Sequence, residues 1–166
     1  MIDPLSLGLP HREPFVFVEK VLSAGEGEAQ CLKVFSPGDP IFRGHFPGNP
    51  IVPGVILTEA LAQTAGIAGA WGSRDRTFLL SAIRNLKFPA AARPAERLIL
   101  NARQTGEIGG LRMFDVSAEV EGGAIVAAGQ IVLSELKLRS SNEDQPPAGK
   151  LQTPRTFEKP DERSAF

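Results

Sequence analysis

Apolar positions along this chain follow two different rhythms. Residues 15–22, FVFVEKVL, are rich in phenylalanine and valine, and residues 28–35 alternate in part between apolar and polar side chains. With Gly25 and Gly27 between them, these runs predict an antiparallel hairpin. Pro37, Gly38, Asp39 and Pro40 break the pattern. From residue 55 to 71 almost every side chain is Val, Ile, Leu, Ala, Thr or Gly. Apolar positions then occur nearly all the way round a helix about 25 Å long, which is the mark of a core helix. Ala62, Ala65, Gly66, Ala68, Gly69 and Ala70 are small enough to let a sheet or a partner's backbone come close.

Beyond Gly72 the period shortens again. Residues 77–88, 96–104, 111–121 and 124–136 read as strands, with PAAARPAE as a rigid connection and EGG as a tight hairpin turn. Two strands, one long helix and then several antiparallel strands predict an α+β domain. Wrapping one curved sheet around the helix satisfies both apolar surfaces.

Composition narrows the picture. The chain has 166 residues, 42% of them hydrophobic, enough for one domain with its own core. That domain is expected over residues 1–138. The charged, proline-bearing stretch 139–166 is expected to be a mobile tail. Eighteen basic and nineteen acidic residues leave a formal charge of −1, which gives no footprint for nucleic acid and no polybasic membrane patch. No basic segment leads into an apolar signal core, and the apolar runs are interrupted. No membrane span is therefore expected, and the plain expectation is a cytoplasmic protein. The single cysteine, Cys31, excludes an intrachain disulfide, and its place in an expected strand makes it a passive core or interface thiol.

The chemistry concentrates in GHFPGNPIVPG, residues 44–54, and the helix that follows. Glycines and prolines at such density fix backbone directions around His45. Glu59 is the one acid of the apolar helix, so it needs a partner, a pocket or an interface. An imidazole that accepts a proton near neutrality and a desolvated carboxyl that donates one make a base and an acid for an elimination or a hydration. Gly54, near the helix start, offers a backbone N–H to an oxyanion. Whether these groups meet within one subunit or across a dimer interface stays open. The loop lacks a dinucleotide fingerprint and a phosphate-loop lysine, the histidines lack zinc-ligand spacing, and no serine sits in a G-x-S-x-G elbow.

LPHREPF followed by a strand, then GHFPGNPIVPGVILTEALAQTAG, resembles the bacterial 3-hydroxyacyl-[acyl-carrier-protein] dehydratases of the FabZ type, in the FabA/FabZ hotdog superfamily. The likeness covers residues 9–136. It implies a hotdog fold and dimers whose sheets join, with trimers of dimers as a further assembly. The implied active sites lie at the dimer interface, with His45 from one subunit as the base and Glu59 from the other as the acid. Gly54 is the implied N–H donor to the thioester carbonyl. The reaction is reversible dehydration of a (3R)-3-hydroxyacyl thioester to the trans-2-enoyl thioester, with no cofactor and no metal. The substrate would arrive on the phosphopantetheine arm of acyl carrier protein or on CoA. Gln63 could orient Glu59 and Phe46 could line the channel, while His11 is expected to be structural.

The sequence departs from the family in two places. Glu13 replaces the usual tyrosine, and FPAAARPAE replaces FRRPVVPGD, leaving Lys87 and Arg93 as the nearby cations. Basic side chains at the mouth would grip an acidic carrier, so their loss bears on the carrier more than on the chemistry. Two alternatives remain open: a hotdog acyl-thioesterase in which Glu59 activates water, and a non-catalytic subunit that binds an acyl carrier.

Overall fold

The computed structural model describes residues 2–73 and 76–136. Its elements in chain order are β1 (Lys20–Gly25), β2 (Glu28–Val34), α1 (Gly54–Gly69), β3 (Thr77–Lys87), β4 (Arg97–Ile108), β5 (Leu111–Val120) and β6 (Ile125–Leu136). The strands form one sheet in the order β1-β2-β4-β5-β6-β3, and every neighbouring pair is antiparallel. α1 packs chiefly on β4 and β2. Because the chain crosses from β2 through α1 before laying down β3, that strand lands at the far edge, beside β6.

α1 forms where the sequence predicts it, and it is buried on nearly every side. Leu57, Thr58, Ala60–Ala65 and Ile67–Gly69 are all covered. Its small side chains allow the sheet to close over it, and Phe114, Leu98, Leu100, Ile131 and Leu133 complete the core. The helix ends at Gly69, two residues before the predicted stop. There the Arg112 guanidinium on β5 donates to the Gly69 carbonyl at 2.8 Å, satisfying an otherwise orphaned acceptor at the negative end of the helix dipole.

The first predicted strand requires a correction. Residues 15–22 were expected to pair as a strand, but β1 begins only at Lys20. Phe15 lies in a bend and residues 16–19 join no ladder. A helix side chain takes part of their backbone bonding: the Phe17 N–H donates to Gln63 Oε1 and the Phe15 carbonyl accepts from Gln63 Nε2. The segment therefore straps α1 before it joins the sheet. The later strands match their predicted positions, with β4 running four residues further, to Ile108 rather than 104.

Cys31 is fully buried on β2, and that burial pushes its thiol up to about 12, against a small opposing effect of Thr64. A thiol held so far from ionisation is a packing group. No helix among the described residues is long and apolar enough to cross a membrane. The boundary expected at 138 and the tail expected over 139–166 lie outside the described residues.

One glycine is fixed by the shape of the sheet. The register of β3 against β6 shifts between Arg84 and Lys87, and Asn85 takes a left-handed φ of 51°. That bulge presses the backbone of Leu86 onto Gly129, where an added Cβ would sit 2.6 Å from Leu86 Cα and 2.7 Å from the Asn85 carbonyl oxygen. Backbone on both sides cannot yield as a side chain would. Gly129→Ala should destabilise the protein by about 1–3 kcal/mol, read as a lower urea midpoint at unchanged slope.

Candidate active site

Glu59 sits on the second turn of α1, with its side chain 22% exposed. Gln63, one turn further on, is 2% exposed and works in three directions. Its Nε2 donates to Glu59 Oε1 at 3.0 Å and to the Phe15 carbonyl at 3.1 Å, and its Oε1 accepts the Phe17 N–H at 2.9 Å. A buried amide with three partners is close to its full bonding capacity. It ties the acid on the helix to the strap that crosses it. His11, on the same strap, brings Nε2 to 3.5 Å from Glu59 Oε1. A cavity of about 190 Å³ opens beside Glu59, and Ala62, Gly66, Phe78, Leu80 and Leu133 give it an apolar wall.

His45 is held by the backbone of its own loop. Asp39 caps the short turn Pro40–Arg43 by accepting the Ile41 N–H at 3.0 Å. The His45 N–H donates to the Ile41 carbonyl, and the His45 carbonyl accepts the Ile51 N–H at 3.1 Å. The ring closes the loop, with Nδ1 3.1 Å from the Ile51 carbonyl oxygen. A carbonyl can only accept, so the ring proton of the neutral imidazole lies on Nδ1 and Nε2 carries a free lone pair. Phe46 stacks on this ring at a centroid distance of 4.2 Å and is itself 52% exposed. On the loop's outer side Arg93 donates to Asn49 Oδ1 at 2.8 Å, which uses one of the two cations left near the altered FPAAARPAE segment.

Gly54 is the first residue of α1, and no side chain caps that end. The Ile56 and Leu57 N–H groups donate to the Pro53 carbonyl at 2.9 and 3.1 Å, which leaves those of Gly54 and Val55 to the solvent or to a ligand. The Phe88 ring lies over Gly54 so closely that an added Cβ would be 3.2 Å from it, and the two residues share a cleft of about 340 Å³ with Ile51, Leu57 and Ala90.

The expected residues thus fall into two groups. Glu59 and Gln63 are joined, and so are His45 and Phe46. The cavity at Glu59 is lined by neither His45 nor Gly54. His11, expected to be structural, lies beside Glu59. Its only signal was its place in LPHREPF, and nothing in that spacing says that the following segment folds over the helix. Among the described residues no group of three or more His, Cys, Asp or Glu side chains is arranged to hold a metal ion.

One long helix in a curved antiparallel sheet, with a lone helical acid and a backbone-pinned histidine loop, defines a hotdog domain equipped for acid–base chemistry. The chain belongs to the FabA-like domain family, whose model matches residues 9–129. It is 39% identical over 136 residues to the 3-hydroxyacyl-[acyl-carrier-protein] dehydratase FabZ of Thermotoga petrophila, covering 82% of this chain and 98% of that one. The enzyme of the same name from Streptococcus sanguinis is 33% identical over 135 residues, covering 80% and 96%. Among solved structures, a chain of the dehydratase heterocomplex ApeI:P from Xenorhabdus doucetiae superposes with a TM-score of 0.69 at 17% identity, over 82% of this chain and 93% of that one.

Gln63 gives a direct test of the strap. Gln63→Leu keeps the bulk but leaves the Phe17 N–H and the Phe15 carbonyl without their partner. Stability should fall by about 2–4 kcal/mol in urea unfolding, because unmet buried backbone groups cost more than the bonds themselves contribute.

Proposed function

We propose that this protein dehydrates (3R)-3-hydroxyacyl thioesters to trans-2-enoyl thioesters, reversibly, with the acyl group carried on acyl carrier protein or CoA. The observation that carries the reading is the His45 Nδ1 contact with the Ile51 carbonyl, which leaves Nε2 as a fixed proton acceptor. The names of the relatives support the substrate class and the acyl carrier protein as its carrier.

The steps follow from the groups available. His45 Nε2 takes a proton from C2, and the electron pair moves toward the thioester carbonyl. The Gly54 N–H at the uncapped start of α1 stabilises the oxygen that gains charge, aided by the helix dipole. The C2–C3 double bond forms as the C3–O bond breaks. Glu59 supplies the proton with which the hydroxyl leaves as water. The proton on His45 then returns to Glu59, and the catalyst is restored. In the hydration direction the two residues exchange roles.

The dyad is completed between two copies of the chain. Support comes from the separation of His45 and Glu59 into different neighbourhoods of one chain, and from β3. That strand is a sheet edge, and it exposes Leu79, Leu80 and Ile83. An edge strand with an apolar exposed face is a template for a second copy, and two-fold pairing along it would join the sheets.

The test is turnover of matched short- and medium-chain 3-hydroxyacyl thioesters on carrier protein and on CoA, followed by enoyl absorbance and product mass. His45→Ala and Glu59→Gln should each lower kcat by about 100-fold or more, as for loss of a general acid or base. Free thiol without enoyl product would replace this reading with a thioesterase. Carrier binding without any turnover would replace it with a non-catalytic subunit.

A further inference from the structure

We infer that His11 is a positioning residue for Glu59, acting with Gln63 on one carboxyl oxygen so that the other is presented to substrate. The inference rests on the reading of Glu59 as the acid.

Both side chains address the same atom. Gln63 Nε2 is 3.0 Å from Glu59 Oε1, and His11 Nε2 is 3.5 Å from it. Neither contact engages Oε2. A carboxyl group carries its proton on one oxygen, and an oxygen that already receives N–H groups is the acceptor of the two. The proton to be delivered is thereby directed to Oε2. A carboxyl free to turn would spend part of its time with the wrong oxygen forward, and misplacement of an acid is costly to the rate.

The state of the His11 ring fits this role. Its Nδ1 is buried and has no hydrogen-bond partner. A proton on Nδ1 would leave a buried N–H with no acceptor, whereas a proton on Nε2 faces the acceptor Glu59 Oε1. The ring proton therefore sits on Nε2, the nitrogen that faces Glu59. At 3.5 Å this is longer than a good N–H···O bond, and such contacts at reactive groups shorten when a ligand fills the site. The ring is held in place from behind: it stacks on Phe15 at 5.9 Å, and Arg12 donates to the carbonyls of Leu9 and His11 at 3.1 and 2.8 Å. The amide of Gln63 that grips Glu59 also grips Phe15 and Phe17 just beyond. Helix acid and strap histidine are thus registered by one side chain.

Two variants separate positioning from packing. His11→Phe keeps the stack on Phe15 and removes the N–H; His11→Gln restores an N–H. His11→Phe should lower kcat by about tenfold to hundredfold, with KM changed by less than about twofold. His11→Gln should recover most of that loss, and His11→Phe should add nothing in a Glu59→Gln background. Equal losses in both variants, losses that multiply with Glu59→Gln, or a rise in KM alone would overturn the inference. A readout independent of turnover uses the fact that the chain has only two histidines. In a ¹⁵N-histidine spectrum His11 should appear as the Nε2–H tautomer, and its signals should move in Glu59→Gln. An Nδ1–H tautomer, or signals that stay put, would overturn the inference. That spectrum decides it even if wild type turns over no thioester, a result that would remove the proposed reaction instead.

Discussion

A helix buried on nearly every side can keep a polar group only if something outside the helix answers it. α1 carries one charged residue, Glu59, and one buried amide, Gln63, a turn apart. Everything distinctive about the site follows from how the chain meets that demand. The sheet cannot do so, because its inner face is apolar. The answer comes from residues 11–17, which lie ahead of the first strand, strap the helix and offer backbone and imidazole to the two polar side chains. The penalty for leaving any of these groups unpaired makes the strap obligatory. The same pairing keeps the acid at the edge of an apolar cavity.

His45 is governed by the opposite logic. Its loop has no helix to bury it, so the backbone itself supplies the geometry. A short capped turn, paired main-chain bonds and the Ile51 carbonyl set the direction of the ring. Glycines and prolines make these contacts reachable, and Gly48 takes a φ of 76° to do so. One half of the proposed dyad is therefore organised by burial and the other by loop geometry. The two halves are built on separate parts of the chain, which is what the proposed sharing between two copies starts from.

Much of this was legible in the sequence. The run from 55 to 71, almost all Val, Ile, Leu, Ala, Thr or Gly, announced the core helix and singled out Glu59 as its one charged residue. The density of glycine and proline over 44–54 marked the histidine loop. What escaped was long-range. FVFV has the composition of a strand, yet composition says nothing about which partner its backbone will find. Gln63, 46 residues further along the chain, takes the Phe17 N–H. The contact of His11 with Glu59 escaped for the same reason, since it depends on the path of that strap. The bulge at Asn85 and its contact with Gly129 lie across two strands and leave no local trace.

The central claim is that His45 of one copy works with Glu59 of another. Mixing decides it most directly. His45→Ala and Glu59→Gln chains, each inactive alone, are unfolded together, refolded and assayed for enoyl formation. If the dyad is shared across a two-fold dimer, half of the mixed dimers' sites are intact, and random pairing returns about a quarter of wild-type activity. If each chain holds a complete dyad of its own, every site carries one defect and the mixture stays as inactive as its parents.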